Sequence, residues 1–232
     1  MVSLRQLDVA QRKFLMNRLE EKRQRMVREQ IAARGVRSEL VLNAMRQVPR
    51  EAFLPERMHE FAYDDTPLPI QEGQTISQPY IVAYMVEALG LSGGEKVLEI
   101  GAGSGYAAAV LARIAGEVYT IECIENLAES ALSALIKIGS DNVQVIHADG
   151  TLGWQQEAPY DAIVVTAGGP RIPESLKKQL KISGCMVIPV GTQEHAQELV
   201  RVTRLSETDF NTEELVSVRF VPLVGEEGWG CS

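Results

Sequence analysis

Cysteine is scarce in this chain of 232 residues: Cys123, Cys185 and Cys231 stand far apart and none shares a CxxC spacing. Neither a disulfide framework nor a zinc pattern is indicated, and three reduced thiols are expected. Histidine is as sparse. His59, His147 and His195 are too scattered to propose a metal site, and no catalytic His or Cys pair is visible. Long apolar runs are missing too. The longest candidate, Tyr80 to Leu91, is interrupted by Glu87, and the opening MVSLRQLDVAQRKF lacks the apolar centre of a signal peptide. A membrane-spanning chain is therefore excluded and a cytoplasmic location expected. Nucleotide and hydrolase motifs are absent as well: LSGGE (91–95) has no G-x-x-x-x-G-K-[ST] loop to accompany it, and Gly103-Ser104-Gly105 is not a G-x-S-x-G elbow. What remains is 45% hydrophobic and 23% charged residues, an ordinary globular composition. A chain of this length can bury about 70–75% of the surface it exposes when unfolded, without staples.

The net charge of −8 is unevenly spread. Residues 1–60 carry 13 Lys and Arg against 8 Asp and Glu, whereas residues 61–232 carry 10 against 23. An acidic body argues against nucleic-acid binding, which needs a basic footprint to displace counterions. The basic front fits a partner helix or, more plainly, a solvated helix laced with ion pairs.

That front is helical in pattern. Leu4, Leu7, Phe14, Leu15 and Leu19, then Met26, Val27 and Ile31, recur at helix-compatible spacing. Gly35 is placed to stop the helix, and Ser38 to cap a second that Pro49 ends. A long loop rich in Pro, Asp and Gly runs from Pro55 to Pro79; loops of that length are more often functional than decorative. From Lys96 the rhythm becomes strand–helix alternation: KVLEI (96–100), EVYTIE (117–122), NVQVIH (142–147), DAIVVT (161–166) and CMVIPV (185–190). Helices of ten or more residues are expected between them, beginning near Gly105, Glu125 and Pro173. This predicts an α/β fold with a doubly wound, mostly parallel sheet. ELVRVTRL (198–205) and ELVSVRFVPL (214–223) have no helix between them and should form an antiparallel C-terminal pair, making seven strands.

The sharpest motif is VLEIGAGSGYAAAVLA (97–112), which sets Gly101, Gly103 and Gly105 in the turn from a strand into a helix with free N–H groups at its start. It reads G-x-G-x-G rather than G-x-G-x-x-G, which weakens a dinucleotide reading. Glu122 ends the second strand, where a carboxylate can accept both ribose hydroxyls of a nucleoside. Asp149 and Gly150, in HADG, follow the third. All lie at the carboxyl ends of strands, where open α/β sheets bind ligands, and together they point to an adenosine site.

VLEIGAGSG, the acidic end of strand two, HADG and PYDAIVVTAG resemble the successive motifs of class I S-adenosylmethionine-dependent methyltransferases. RMVREQIAARGVRSELVLNAMRQVPREAFLPE, AYDDTPLPIQEGQTISQPYIVAYMVEAL and the ending VRFVPLVGEEGW narrow this: the chain resembles the protein-L-isoaspartate O-methyltransferase family from about Arg25 to Trp229. TISQP is far more specific than the glycine loop. Two features depart from the family. LKISGC stands where a Pro-Gly-Gly-like turn is usual, which bears on local stability or activity, and residues 1–24 exceed the family's core.

The resemblance implies a Rossmann-like methyltransferase fold, with residues 1–24 as a helical extension and 25–232 as one domain. Within that domain, 25–90 would form a helical, substrate-side subregion and 91–232 the cofactor-binding sheet. It implies methyl transfer from S-adenosyl-L-methionine to the free α-carboxyl of L-isoaspartyl residues in damaged peptides and proteins. The ester product would then cyclise to a succinimide, which makes the reaction a repair. Ser77 matches the serine the family places at its active site, although the neighbouring Pro79 equally suits Ser77 or Gln78 to a helix cap. Thr75, Ile76, Ser77, Glu99, Gly101, Gly103, Gly105, Glu122, Cys123, Asp149 and Gly150 are implied to hold the cofactor. Ser77, Gln78 and Val221, at the end of the last strand, are implied to hold the peptide, extended and bound through its backbone. No metal, nucleic acid or membrane is called for. A monomer is expected, with residues 1–24 as the segment able to mediate self-association. The near rival is a class I methyltransferase acting on a small-molecule carboxylate. An NAD-dependent oxidoreductase and a noncatalytic relative are further off, since the first needs G-x-G-x-x-G and the second should have lost the glycines, Glu122 or Ser77.

Overall fold

The strands that read most clearly in the sequence form the middle of the molecule, in a computed structural model that describes residues 8–192 and 196–230. Leu4, Leu7, His195 and Cys231 lie outside the described residues. Strands β3 (Lys96–Ile100), β4 (Glu117–Glu122), β5 (Val143–His147), β6 (Tyr160–Val165), β7 (Leu180–Val190), β8 (Gln197–Arg204) and β9 (Phe210–Val218) make one seven-stranded sheet in the order β5-β4-β3-β6-β7-β8-β9. The first five run parallel; β8 and β9 add antiparallel at one edge. The order reverses between β3 and β6, so their carboxyl ends part and leave a crevice.

Both faces of the central strands are buried, which explains their unbroken apolar lettering. Val97 joins a core beneath the N-terminal helices, while Leu98 and Ile100 join a second core on the opposite face. The first core includes helices α3 (Pro79–Ala88) and α4 (Tyr106–Ala112) and residues of α5 (Glu125–Lys137); the second includes Leu176 of α6 (Glu174–Gln179). Two of these helices are shorter than the ten residues expected: α4 has seven residues and α6 six. The β5–β6 crossing carries only the 3-10 turns Gly150–Leu152 and Gln155–Glu157. A short apolar stretch such as YAAAVLA suffices, because small alanines let the helix lie close on the sheet.

The front of the chain belongs to the same core. Helix α1 (Val9–Met26) is capped by Asp8, whose side chain accepts from Gln11 N–H, and it runs on through a π-helical turn, Val27–Ile31. Met26, Val27 and Ile31 are fully buried, each contributing roughly 1.5–3 kcal/mol of transfer free energy. Phe14 and Met16, near the start of α1, are exposed. As the sequence predicts, Gly35 ends the run in a left-handed conformation (φ 104°), and Ser38 caps α2 (Glu39–Gln47).

The Pro55–Pro79 stretch is not a plain loop. It holds a 3-10 turn, Glu56–Phe61, and a hairpin of two-residue strands, β1 (Leu68–Pro69) and β2 (Thr75–Ile76). Strand β7 starts five residues earlier than expected and absorbs LKISGC as a bulge: Tyr160 pairs Leu180, yet Ala162 pairs Cys185. Ser183 there has φ 69°, a conformation that suits glycine. The last strand is also displaced, covering Phe210–Val218 rather than 214–223. Gln197 is the reason: its side-chain oxygen accepts from Phe220 N–H at 2.7 Å and its amide donates to the Phe220 carbonyl at 3.2 Å, drawing the chain off the sheet edge.

Candidate active site

The crevice at the β3/β6 switch is an open cleft. Its floor is the carboxyl ends of β3, β4 and β6, and its roof is the β1–β2 hairpin and the start of α3. Gly101 lies at the centre with φ 95°, and a side chain there would come within 2.6 Å of Thr166 Oγ1. Thr166 in turn donates to the Gly101 carbonyl at 2.7 Å, so the turn and the end of β6 are laced together. Gly103 N–H donates to Glu122 Oε2 at 2.8 Å, and Ile124 N–H donates to Glu122 Oε1 at 3.1 Å. The Glu122 carboxylate, which lines the cleft, is thus oriented by two backbone donors, with the Cys123 thiol donating to Oε1 at 3.7 Å.

Glu99 is fully buried and lines the cleft. Thr120 Oγ1 donates to its Oε2 at 2.6 Å, while Oε1 has no partner among the described residues. Burial pushes this carboxyl up to about 8; the Thr120 hydrogen bond opposes the rise and the Glu122 charge adds to it. A buried carboxyl with one free oxygen, sharing the cleft with a second carboxylate and a bare glycine backbone, suits a ligand bearing hydroxyls and a cationic nitrogen. Cys123 also lines the cleft, with its thiol pushed up to about 11, first by burial and then by the Glu122 charge. It is a wall, not a nucleophile.

Of the residues implied to hold a cofactor, Thr75, Ile76, Ser77, Glu99, Gly101, Gly103, Glu122, Cys123 and Gly150 line this cleft; Gly105 and Asp149 do not. Gly105 packs on α5 instead, where a Cβ would lie 3.3 Å from Ala131. The Asp149 carboxylate is occupied elsewhere. Its Oδ1 accepts from Thr151 N–H and Oγ1 at 2.8 and 2.7 Å, and its Oδ2 accepts from Glu226 N–H at 2.8 Å. It pins the C-terminal segment against the cleft rather than facing into it. Thr166 was missed from the sequence, although its place at the end of DAIVVT was the available signal. Leu223 and Val224 were missed as well; no local pattern marks them, and they reach the cleft because Gly168 exchanges hydrogen bonds with Val221 and Leu223.

A second groove opens beside the cleft. Thr75, Ser77, Thr166 and Val221 wall both. Gln78, Ile81, Val218, Arg219 and Phe220 extend the groove away from the cleft. Val221 lies three residues past the end of β9 rather than at the end of the last strand, and it lines both spaces. Ser77 follows β2 and precedes Gln78, the N-cap residue of α3, which makes no side-chain cap hydrogen bond. The Ser77 hydroxyl has no hydrogen-bond partner among the described residues, so it caps nothing and stands free at the junction.

Comparison with known proteins bears on this arrangement. Residues 21–228 match the family described as protein-L-isoaspartate(D-aspartate) O-methyltransferase. Protein-L-isoaspartate O-methyltransferase 1 of Rhodopseudomonas palustris (strain HaA2) is 68% identical over 207 residues, covering 89% of this chain and 84% of that one. Protein-L-isoaspartate O-methyltransferase 2 of Pelobacter propionicus is 59% identical over 210 residues, covering 90% and 93%. Among solved structures, a protein-L-isoaspartate O-methyltransferase superposes with a TM-score of 0.78 at 30% identity over 87% of this chain, which spans 65% of that longer chain. A Plasmodium falciparum structure, titled a putative protein-L-isoaspartate O-methyltransferase in complex with S-adenosyl-L-homocysteine, superposes with a TM-score of 0.73 at 25% identity, over 86% and 96% of the two chains.

Proposed function

The chain belongs to the protein-L-isoaspartate(D-aspartate) O-methyltransferase family and catalyses its S-adenosyl-L-methionine-dependent reaction, and from that premise we propose that Ser77 is the residue at which cofactor and isoaspartyl peptide meet. The observation that carries this reading is the shared wall: Ser77 lines both the cleft and the adjoining groove, with a free hydroxyl.

S-adenosyl-L-methionine supplies, when bound, a methyl group on a sulfonium centre that departs as a neutral thioether. Glu122 would accept from the ribose hydroxyls, Glu99 would face the amino group, and the Gly101–Gly103 turn would lie against the chain of the cofactor. Thr75 and Ile76 would cover it. Across the junction, the Ser77 hydroxyl donates to one oxygen of the isoaspartyl α-carboxylate and leaves the other aimed into the cleft. A carboxylic acid has a reference pKa near 4, so the nucleophile is already an anion at neutral pH and no general base is required. The work left to the protein is alignment and removal of water from that carboxylate. Gln78 and Val221 would hold the peptide, extended, along the groove. Gly105 and Asp149 act one layer back, by packing α4 on α5 and by tying down the C-terminal segment.

The groove favours a peptide over a small-molecule carboxylate, because it continues well past Ser77 to Arg219 and Phe220. The same reading takes residues 25–232 as one domain, whose buried core also takes in Leu19 of the preceding segment and runs on to Val218. It takes the protein as cytoplasmic, supported by the free thiols of Cys123 and Cys185, and as a monomer whose N-terminal extension, with Phe14 exposed, is the segment for self-association. No helix among the described residues is long and apolar enough to cross a membrane.

The test is a matched pair of peptides. With labelled S-adenosyl-L-methionine, the isoaspartyl peptide is methylated and its aspartyl twin is not. Equal labelling of both would contradict the substrate reading, and labelling of free small carboxylates alone would favour the rival.

A further inference from the structure

The backbone around the junction serine is braced by two residues that line neither the cleft nor the groove, Arg34 and Asp65. Gln78, next to Ser77, donates its side-chain Nε2 to the Asp65 carbonyl at 3.0 Å. The Asp65 carboxylate accepts from Arg34 Nη1 at 2.6 Å, with side-chain exposures of 27% and 44% for the pair. The Arg34 guanidinium carbon lies 3.5 Å from the ring centroid of Tyr80, in the first turn of α3 and only two residues beyond Gln78. These contacts close a ring, Arg34–Asp65–Gln78–Tyr80–Arg34, around the backbone that follows Ser77. On the other side of Ser77, β2 pairs with β1, Ile76 opposite Leu68.

We propose that Arg34 and Asp65 are positioning residues for methyl transfer, acting through Gln78 and Tyr80 to fix where the Ser77 hydroxyl stands. The physical need is clear. The Ser77 hydroxyl has no hydrogen bond among the described residues to set its orientation, and it sits between a two-residue strand and a helix start without a side-chain cap. Backbone pairing that short does not fix a hydroxyl to the fraction of an ångström that alignment demands. Arg34 meets the need from outside the site: it ends the N-terminal helical run just before Gly35, and its planar guanidinium can stack on Tyr80 while donating to Asp65. Neither Arg34 nor Asp65 lines the cleft or the groove, so their loss removes no direct contact to cofactor or peptide. The helical front thereby serves turnover rather than binding.

This inference rests on the assignment of Ser77 above, and the two fail separately: the wild-type protein on the isoaspartyl peptide tests the reaction, and ratios between variants test the ring. Arg34→Ala and Asp65→Ala, in the full-length protein, are each expected to lower kcat roughly five- to twentyfold. Cofactor Kd by calorimetry and peptide KM should stay within about twofold of wild type, as expected when direct contacts are untouched. The double variant should be no slower than the slower single one, since both open the same ring. Arg34→Lys, which keeps the charge but not the planar fork, should fall between wild type and Arg34→Ala, and it serves as the readout if the alanine variants do not fold. An unchanged kcat, losses that multiply in the double variant, or an equal loss in cofactor affinity would each overturn the proposal.

Discussion

The sheet half, residues 91–230, and the helical half, residues 8–90, wall the same cleft by different means. The sheet half does so with backbone: β3, β4 and β6 lie in register, with Ile100 opposite both Ile121 and Val165, and their carboxyl ends deliver Glu99, Gly101, Glu122 and Thr166 with little freedom. The helical half does so with side chains. Its roof hangs on Gln78 and Arg34 at Asp65, and on Asn126 donating to Glu72 and Ser130 to Gln71, both at 3.0 Å across to α5. The lesson is a division of labour. Cofactor affinity should depend on backbone geometry in one half, and turnover on side-chain bracing in the other.

The largest break is expected where the sheet half allows no side chain. Gly101→Val forces a β-branched residue into a left-handed conformation and against Thr166, which should cost about 2–5 kcal/mol of stability and abolish cofactor binding. Urea denaturation and calorimetry check both parts; a stable variant that binds normally would show that the turn is less rigid than argued. Next comes Glu122→Ala, expected to weaken cofactor binding by about 1.5–3 kcal/mol, as for a lost charge-assisted hydrogen bond, with peptide KM unmoved. An unchanged cofactor affinity would remove Glu122 from the ribose role.

Glu99 sharpens the comparison through pH. Its folded value of about 8 is raised above that of an exposed carboxyl. The folded protein therefore holds a proton that the unfolded chain has lost, and the stability linked to Glu99 is fully present below the unfolded pKa and falls as pH rises toward 8. Binding of a cationic amino group favours the ionised form, so cofactor affinity should improve between pH 6 and 8. Glu99→Gln should flatten both trends, in melting temperature and in cofactor Kd across pH 5–9. Unaltered slopes would place the titration elsewhere. The smallest effect is expected at Ser183, where a side chain occupies a conformation that suits glycine. Ser183→Gly should raise stability by about 1 kcal/mol with activity unchanged, and a loss of stability would mean that the bulge in β7 is held by the serine itself.

What could be read beforehand divides along the same line. KVLEI and EVYTIE were legible to the residue because strands buried on both faces must be continuously apolar, and β3 and β4 end where the lettering ends. The place of Glu122 in the cleft wall was legible because it ends a strand at the sheet's carboxyl edge. The direction of the Asp149 side chain was not: a carboxylate just past a strand can turn toward a ligand or cap the next turn, and here it accepts from Thr151 and Glu226. The β1–β2 hairpin, two residues per strand, is too short for any periodicity. The Arg34–Asp65 pair joins residues 31 apart in sequence, and only the folded chain shows why either matters. Ser77 came from resemblance alone; the residues around it by themselves favour a helix cap, and the structure leaves its hydroxyl without a cap hydrogen bond among the described residues.

The central claim is that Ser77 works at the junction, on the peptide carboxylate rather than on the cofactor. Ser77→Ala tests it most directly, by measuring cofactor Kd and single-turnover methylation of an isoaspartyl peptide in the same preparation. The account predicts a cofactor Kd within about twofold of wild type and a methyl-transfer rate lower by roughly 10- to 150-fold, the worth of a hydrogen bond to a charged group. A variant that transfers methyl at the wild-type rate, or one that loses the cofactor while remaining folded, would contradict it.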